Sequence, residues 1–598
     1  MTTRKQRLEL TWIGKDERPR LEPRILLEDA EKSYHARARV TDRDIFDNIL
    51  IQGDNLLALK ALEQSFEGRI QAIYIDPPFN TGEAFDNYDD GIEHSLWLDL
   101  MQKRLFMLHR LLSDSGTIFI HIDDNELGYL IAVTDEIFGR GNRISVVTFK
   151  QSSVSGPKAR NPGVVSIANY VLIYAKNKSA WKNRNVYRAI GRDDRYARVI
   201  ENIEAAHSDW RFVSLREAFC RYHGVKEKEL DCKFGARLHA QLEKYVLAHS
   251  DRVVRTARVA DQDVNENARE ALRKSREEPN VVQHSAREGL DDFYFINGEQ
   301  IAFYRNKARQ IDGEFVTAER ISNLWDDLLS NNLHKEGGVV FKNGKKPEAL
   351  IKRCLELSTN PGDIVLDSFL GSGTTAAVAH KMGRRWIGIE LGDHATTLCI
   401  PRLTKVVDGD DQDGISKAVA WRGGGGFRYY RVAPSLLNRD AWGNWVIARD
   451  FYDPDKLSQA VCKLMGFVYQ PDETQYWMQG RSSETDFIYV TTQSLTHEQF
   501  SAVSEDVGDE RTLLICCKAF RANADAFPNL TIRKIPQAIL RICEWGHDDY
   551  SLNVANLPES PREPYTPDDG PVPSNATKRR ENGGPKLQDD LFRQGSRE

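Results

Sequence analysis

Two stretches of this chain alternate strand with helix, and a long stretch between them does not. From residue 46 to 176, an apolar strand at Ile70–Ile75 is followed by a helix from about His94, a strand at 117–122, a helix from Asn125 and a strand at 170–175. The rhythm stops at 177 and returns after about 320, with a helix from Pro347, a strand at Ile364–Asp367, a helix from Thr374 and a strand at 386–390. Strands that alternate with helices argue a parallel sheet with helices packed on it. The two runs therefore predict one mostly parallel, Rossmann-like α/β sheet completed around an insertion. The first helix carries Trp97, Met101, Leu105, Leu108 and Leu112 at spacings of three and four, which makes one buried face.

The rest of the chain divides around this core. Residues 1–45 are charge-rich without sustained periodicity and read as an N-terminal arm. The first core segment is 46–176, the insertion 177–320 and the second core segment 321–440. After the glycines 423–426, residues 441–555 carry strands at 486–490 and 512–516 with a helix between them, the pattern of a small α/β accessory domain. From 556 to 598 Pro, Gly, Ser and charges dominate, so the tail is expected to be disordered apart from a short Leu591-Phe592 anchor.

Composition excludes several classes. The 82 Lys and Arg stand against 88 Asp and Glu, a net charge of -6, so any contact with a polyanion has to be local. Eight scattered cysteines form no Cys-x-x-Cys pair and no Cys/His cluster at zinc spacing, which argues against a metal site or a disulfide framework. No run approaches the ~18 apolar residues of a membrane span, and the first thirty residues lack the apolar core of a signal peptide. The expected location is the cytoplasm.

The segment from Val365 to Ala376 places an apolar strand, a turn with Gly371 and Gly373, and a helix start in sequence. Glu390 follows at the end of the next strand, where a carboxylate can accept two ribose hydroxyls. The pair fits either a dinucleotide, which would make the chain a NAD-dependent oxidoreductase, or S-adenosylmethionine. No Gly-x-x-x-x-Gly-Lys-Ser/Thr loop is encoded, so an ATP-driven motor of that kind is excluded.

The other loop is Asp76-Pro77-Pro78-Phe79, at the C-terminal end of the first apolar strand. Its prolines stiffen the turn and remove two backbone donors, leaving acceptors that suit a ligand amino group. Phe79 adds a flat face, and stacking a base on an aromatic ring is worth ~1–3 kcal/mol. Together these groups describe a pocket for one unstacked adenine or cytosine.

The two loops together resemble those of amino-methylating DNA methyltransferases. The order, with the acidic loop first, a long variable region next and the glycine loop late, is similar to the β group of those enzymes, in which the insertion is a target-recognition domain. Ile51-Gln52-Gly53-Asp54, Lys346-Pro347 and the run Gly424-Gly425-Gly426-Phe427-Arg428-Tyr429-Tyr430 further resemble the modification (Mod) subunits of type III restriction-modification systems.

The resemblance implies an S-adenosylmethionine-dependent, adenine-N6-specific methyltransferase acting on double-stranded DNA by base flipping, with cytosine N4 as the alternative target. It implies that Asp76 and the Pro77 carbonyl hold the target amine in the loop closed by Pro78, and that Phe79 stacks on the ring. It also implies that Gly371 and Gly373 pass behind the cofactor, flanked by Phe369, Thr374 and Thr375, that Glu390 meets its ribose and Asp54 its adenine, and that Lys346, beside Pro347, lies with Asp367 near its methionine end. One departure is visible: Asp367-Ser368-Phe369 stands where the family usually has Asp-Pro-Phe.

Between 141 and 200 stand twelve Lys or Arg against two Asp, and Lys182, Arg184 and Arg188 interleave there with Trp181 and Tyr187. Such a run can neutralise phosphates, so these three are the candidate DNA contacts. As partners the resemblance implies a homodimer and an ATP-dependent restriction (Res) subunit, with the accessory domain as docking surface, and no membrane.

Overall fold

Four apolar segments that lie far apart in sequence pair side by side at the centre of the protein. The structure, a computed structural model, describes residues 9–12, 14–79, 90–152, 154, 163–328, 333–341 and 344–551. Its main sheet has eleven strands: β1 Leu26–Glu28, β2 Tyr34–His35, β3 Asn48–Gln52, β4 Ile70–Ile75, β5 Leu112–Ile122, β6 Arg143–Lys150, β7 Ala168–Ala175, β8 Leu324–Trp325, β9 Ile364–Asp367, β10 Arg385–Glu390 and β11 Gly426–Val432. They lie in the order β1-β11-β3-β10-β9-β4-β5-β7-β6-β8, with β2 also on β11. All contacts from β11 to β5 are parallel, and β7 is antiparallel to both of its neighbours. The expected mostly parallel sheet, completed around the insertion, is what forms.

Helices cover both faces. Because alternate residues of a strand face opposite ways, Ile73 and Ile75 of β4 pack into one core and Ala72 and Tyr74 into the other. The first core is closed by α1 Asn55–Phe66, α2 Asp90–Leu111 and α3 Leu127–Thr134. The predicted stripe Trp97, Met101, Leu105 and Leu108 is fully buried there, and each such side chain contributes about 1.5–3 kcal/mol. The second core is closed by α4 Glu348–Ser358, α5 Thr374–Lys381 and α6 Ile400–Asp408.

The N-terminal segment differs from the loose arm expected of it. Leu26–Glu28 pairs antiparallel with β11, Leu26 opposite Val432, and Tyr34–His35 adds a second short pairing. Strands of two or three residues carry no readable period, and the open edge of β11 supplies their register. Residues Met1–Asn556 make one contact unit, within which other sheets are built. A six-stranded antiparallel sheet lies between 198 and 303, and a three-stranded one joins Tyr187–Ala189, Ala308–Ile311 and Glu314–Arg320. A five-stranded sheet follows between 468 and 534, where Asp486–Thr496, Thr512–Arg521 and Leu530–Lys534 run parallel. The tail read from 556 lies outside the described residues.

Candidate active site

Strands β3, β10, β9 and β4 are neighbours and parallel, so their C-terminal ends share one edge of the sheet, the edge where α/β proteins hold ligands. A cavity of about 690 Å³ opens there. Its wall includes Asp76, Pro77, Pro78 and Phe79 after β4, Asp367, Phe369, Gly371, Thr374 and Thr375 after β9, Glu390 of β10, Asp54 after β3, and Lys346. Of the sequence candidates for catalysis and cofactor binding, Pro347 and Gly373 stand outside the wall: Pro347 at the start of α4, Gly373 at the start of α5.

The turn after β9 is stapled by Asp367, which accepts the Phe369 N–H at 2.9 Å and the Thr375 hydroxyl at 2.6 Å. Burial pushes the Asp367 carboxyl up to about 7 against the pull of those bonds, and the charges of Asp76 and Glu390 add to the push. Ser368, in place of the family's proline, keeps its carbonyl engaged by the Asn55 amide at 2.8 Å. Gly371 has φ of +57° and gives its N–H to Glu390 at 2.7 Å. Each carboxylate oxygen can accept twice, so Glu390 keeps capacity for ligand hydroxyls.

Gly373, φ +78°, is needed for its backbone. A Cβ there would meet Cys399 at 3.5 Å, an ordinary contact outside the cavity wall. Gly373→Val is therefore expected to act through left-handed strain of ~1–2 kcal/mol, weakening ligand binding to this loop about tenfold in calorimetry.

Behind the loop lies a charge cluster that the sequence does not reveal. Arg402 donates to the Thr374 hydroxyl at 2.7 Å and to Glu348 at 2.8 Å, and Lys381 pairs with Glu348 and Asp411 at 2.9 Å each. All four side chains are buried. Their partners are 28 to 54 residues away, so no local pattern could have marked them.

At the other wall, Asp76 directly follows β4. Its Oδ2 pairs with Lys346 Nζ at 2.7 Å, while its buried Oδ1 has no hydrogen-bond partner among the described residues. Lys346 also stands 5.1 Å from the centre of the Phe79 ring. Lys346 and Asp367, expected near one end of the cofactor, both line this cavity, and the ammonium of Lys346 is stabilised there by the Asp76 carboxylate in contact with it. Burial pushes the Asp76 carboxyl up, and Lys346 pulls it part of the way back. The Trp97 indole N–H donates to the Pro78 carbonyl at 2.9 Å and fixes the loop on α2.

Asp54 lines the cavity but is heavily committed. Its Oδ1 caps α1 through the N–H groups of Leu56 and Leu57, and its Oδ2 accepts from Arg104 at 3.4 Å and from the Tyr550 N–H at 3.0 Å. Asn55, Arg104, Phe341, His394 and Ser551 also line the wall. Sequence reasoning missed them because they come from helices and loops outside both motifs.

The candidate DNA contacts fare differently. Arg188 pairs with Glu319 at 2.7 Å and with Asp326 at 2.5 Å, and Arg184 donates to the Thr359 carbonyl. Both are thereby drawn back into the fold, and Lys182 alone of the three is exposed. The cationic run counted opposite charges along the sequence, whereas Glu319 and Asp326 arrive from 131 and 138 residues away.

A family model described as DNA methylase matches residues 70–400, more than half of the chain. A "Probable type III restriction-modification enzyme HindVI Mod subunit" of Haemophilus influenzae is 32% identical over 526 residues, 81% of this chain and 69% of the relative. The chain belongs to the DNA methylase family, with the type III Mod subunits. The EcoP15I Mod subunit of Escherichia coli is 25% identical over 64% of this chain, and the EcoPI Mod subunit of Escherichia phage P1 28% identical over 63%. The chain spans 63% and 61% of the length of those two relatives. The cofactor of this methylase is S-adenosylmethionine, and among the described residues no helix is long and apolar enough to cross a membrane.

Proposed function

We propose that this methylase transfers the methyl group of S-adenosylmethionine to N6 of an adenine rotated out of duplex DNA, as the modification component of a restriction-modification system. The observation that carries the reading is Asp76 Oδ1, a buried acceptor without a partner among the described residues, in a loop that shares its cavity with Phe79, the glycine loop and Glu390. The residues fit the cofactor: left-handed Gly371 keeps the turn after β9 narrow, and Glu390 is a carboxylate with acceptor capacity left. When bound, the cofactor supplies an electrophilic methyl on a sulfonium.

Asp76 and the Pro77 carbonyl accept from the target amine and draw its lone pair out of conjugation with the ring. Phe79 holds the base plane. The cavity walls shield the reacting groups from water, and the rest of the work is alignment. Asp76 then stabilises the cationic nitrogen before its proton is lost. Lys346 pairs with Oδ2, so Oδ1 is the oxygen left for the amine.

The deciding experiment incubates the protein with DNA and labelled S-adenosylmethionine and identifies the methylated nucleoside. N6-methyladenine is the expected product; N4-methylcytosine would move the target, and no labelled base would sink the reading. A restriction subunit and a homodimer belong to the same reading, tested by pull-down from the native cell and by light scattering.

Lys346→Met gives a further expected result. Asp76 must be ionised to accept from the amine, and removing the ammonium takes away what lowers its pKa. The acid limb of the methylation pH profile should move to higher pH, so the rate at a fixed pH on that limb falls. An acid limb that stays in place would show that Lys346 does not act on Asp76.

A further inference from the structure

Tyr74 lies on β4 and Asp76, two positions on, directly follows the strand; both line the cavity. The Tyr74 hydroxyl oxygen lies 2.9 Å from His121 Nδ1, and His121 Nε2 lies 3.0 Å from Asn169 Nδ2. All three residues are buried. In the amide orientation that sets the Asn169 nitrogen against Nε2, the amide donates and Nε2 accepts. Burial holds the imidazole well below its ordinary value, so the ring is neutral and its one hydrogen sits on Nδ1.

That hydrogen goes to the tyrosine oxygen, and the tyrosine's own hydrogen must point elsewhere. It has no acceptor among the described residues, just as Asp76 Oδ1 has no donor. A donor and an acceptor left unmatched in one cavity are the complement of a ligand edge with the opposite pair.

We propose that Tyr74 is a specificity-determining residue, donating to the ring nitrogen beside the target amine while Asp76 accepts from the amine itself. The inference rests on the function proposed above. Adenine presents an amine next to the bare ring nitrogen N1, and cytosine presents the same pair at N4 and N3. Guanine and thymine carry an N–H at the corresponding ring position and would bring hydrogen against hydrogen. Tyr74 thus sorts bases by edge pattern, and Phe79 by stacking. His121 and Asn169 touch no substrate; they are positioning residues that fix which way the hydroxyl points.

The test places 1-deazaadenine, which keeps the amine and lacks N1, at the mapped target position of a synthetic duplex. 7-Deazaadenine, which keeps both groups, is the control. With unaltered protein, kcat/KM for methyl transfer is expected to fall about tenfold on the 1-deaza duplex and to change little on the 7-deaza duplex. Tyr74→Phe is expected to be about tenfold slower on adenine and to treat adenine and 1-deazaadenine alike.

Tyr74→Phe that keeps the full preference for adenine overturns the role, as does unaltered protein that methylates both bases equally fast. Should Tyr74→Phe fail to melt cooperatively, the three duplexes with unaltered protein decide alone. No transfer to adenine by unaltered protein would overturn the proposed function and this role together, and is thereby distinct from equal transfer to both.

Discussion

Asp76→Ala is expected to cut methyl transfer at least about a hundredfold while S-adenosylmethionine still binds, because it removes an acceptor aligned on the reacting amine. The cofactor contacts assigned to Glu390, Gly371 and Asp367 come from β9 and β10, and Asp76 directly follows β4. A labelled-methyl assay reads the first part and calorimetry the second. Transfer near the unaltered rate would remove Asp76 from the chemistry, and lost cofactor binding would make it part of the cofactor wall. The paired ammonium sharpens the expectation: without the carboxylate, Lys346 has no ion-pair partner among the described residues, and its ammonium then repels a substrate group that turns cationic during transfer.

Glu348→Ala is expected to destabilise the protein by about 3–5 kcal/mol, the usual cost of removing one member of a buried ion cluster. Arg402 would lose its only ion-pair partner among the described residues, and Lys381 would keep Asp411. Because Arg402 also holds the Thr374 hydroxyl and the Ser372 carbonyl, cofactor affinity should fall with stability. Burial alone would push the Glu348 carboxyl up, but Arg402 and Lys381 outweigh it and hold it below the ordinary glutamate value. A depressed carboxylate stabilises the fold above its unfolded pKa and ceases to do so as pH falls through the folded one. The stability gap between unaltered and variant protein, from denaturant midpoints, should therefore close in acid. An unchanged midpoint at neutral pH would show the cluster to be dispensable.

The core was legible because buried parallel strands are short continuous apolar runs and the loops after them are stiffened by Pro or opened by Gly. Ile70–Ile75 and Ile364–Asp367 fall where the apolar runs put them. The same locality explains why the acidic and glycine loops could be found at all: each is a dozen residues or fewer, with its chemistry inside it. What stayed hidden is long-range. Tyr74 reads as a core aromatic until His121 and Asn169 are brought to it from β5 and β7. Lys346 can be placed near the cofactor from its motif, but its ion pair with Asp76 is seen only when the fold brings the two together. The ion pairs of Arg188 with Glu319 and Asp326 are likewise invisible in the cationic run around it. Edge strands such as Leu26–Glu28 are shorter than any period and take their register from a partner that comes 400 residues later in the chain.

The order of the central sheet also sets a timetable for synthesis. β3 leaves the ribosome early, yet its two neighbours are β10 and β11, and β4 has one side open until β9 arrives. At 5–20 residues per second, the about 290 residues between β4 and β9 take roughly 15–60 s to make. Throughout that interval the nascent chain shows unpaired, apolar strand edges of the kind that recruit wrong partners. The methylase therefore depends on holding its first segment open and unaggregated while the insertion is built, and mutations that slow translation between 177 and 320 should lower soluble yield without touching a single residue of the site.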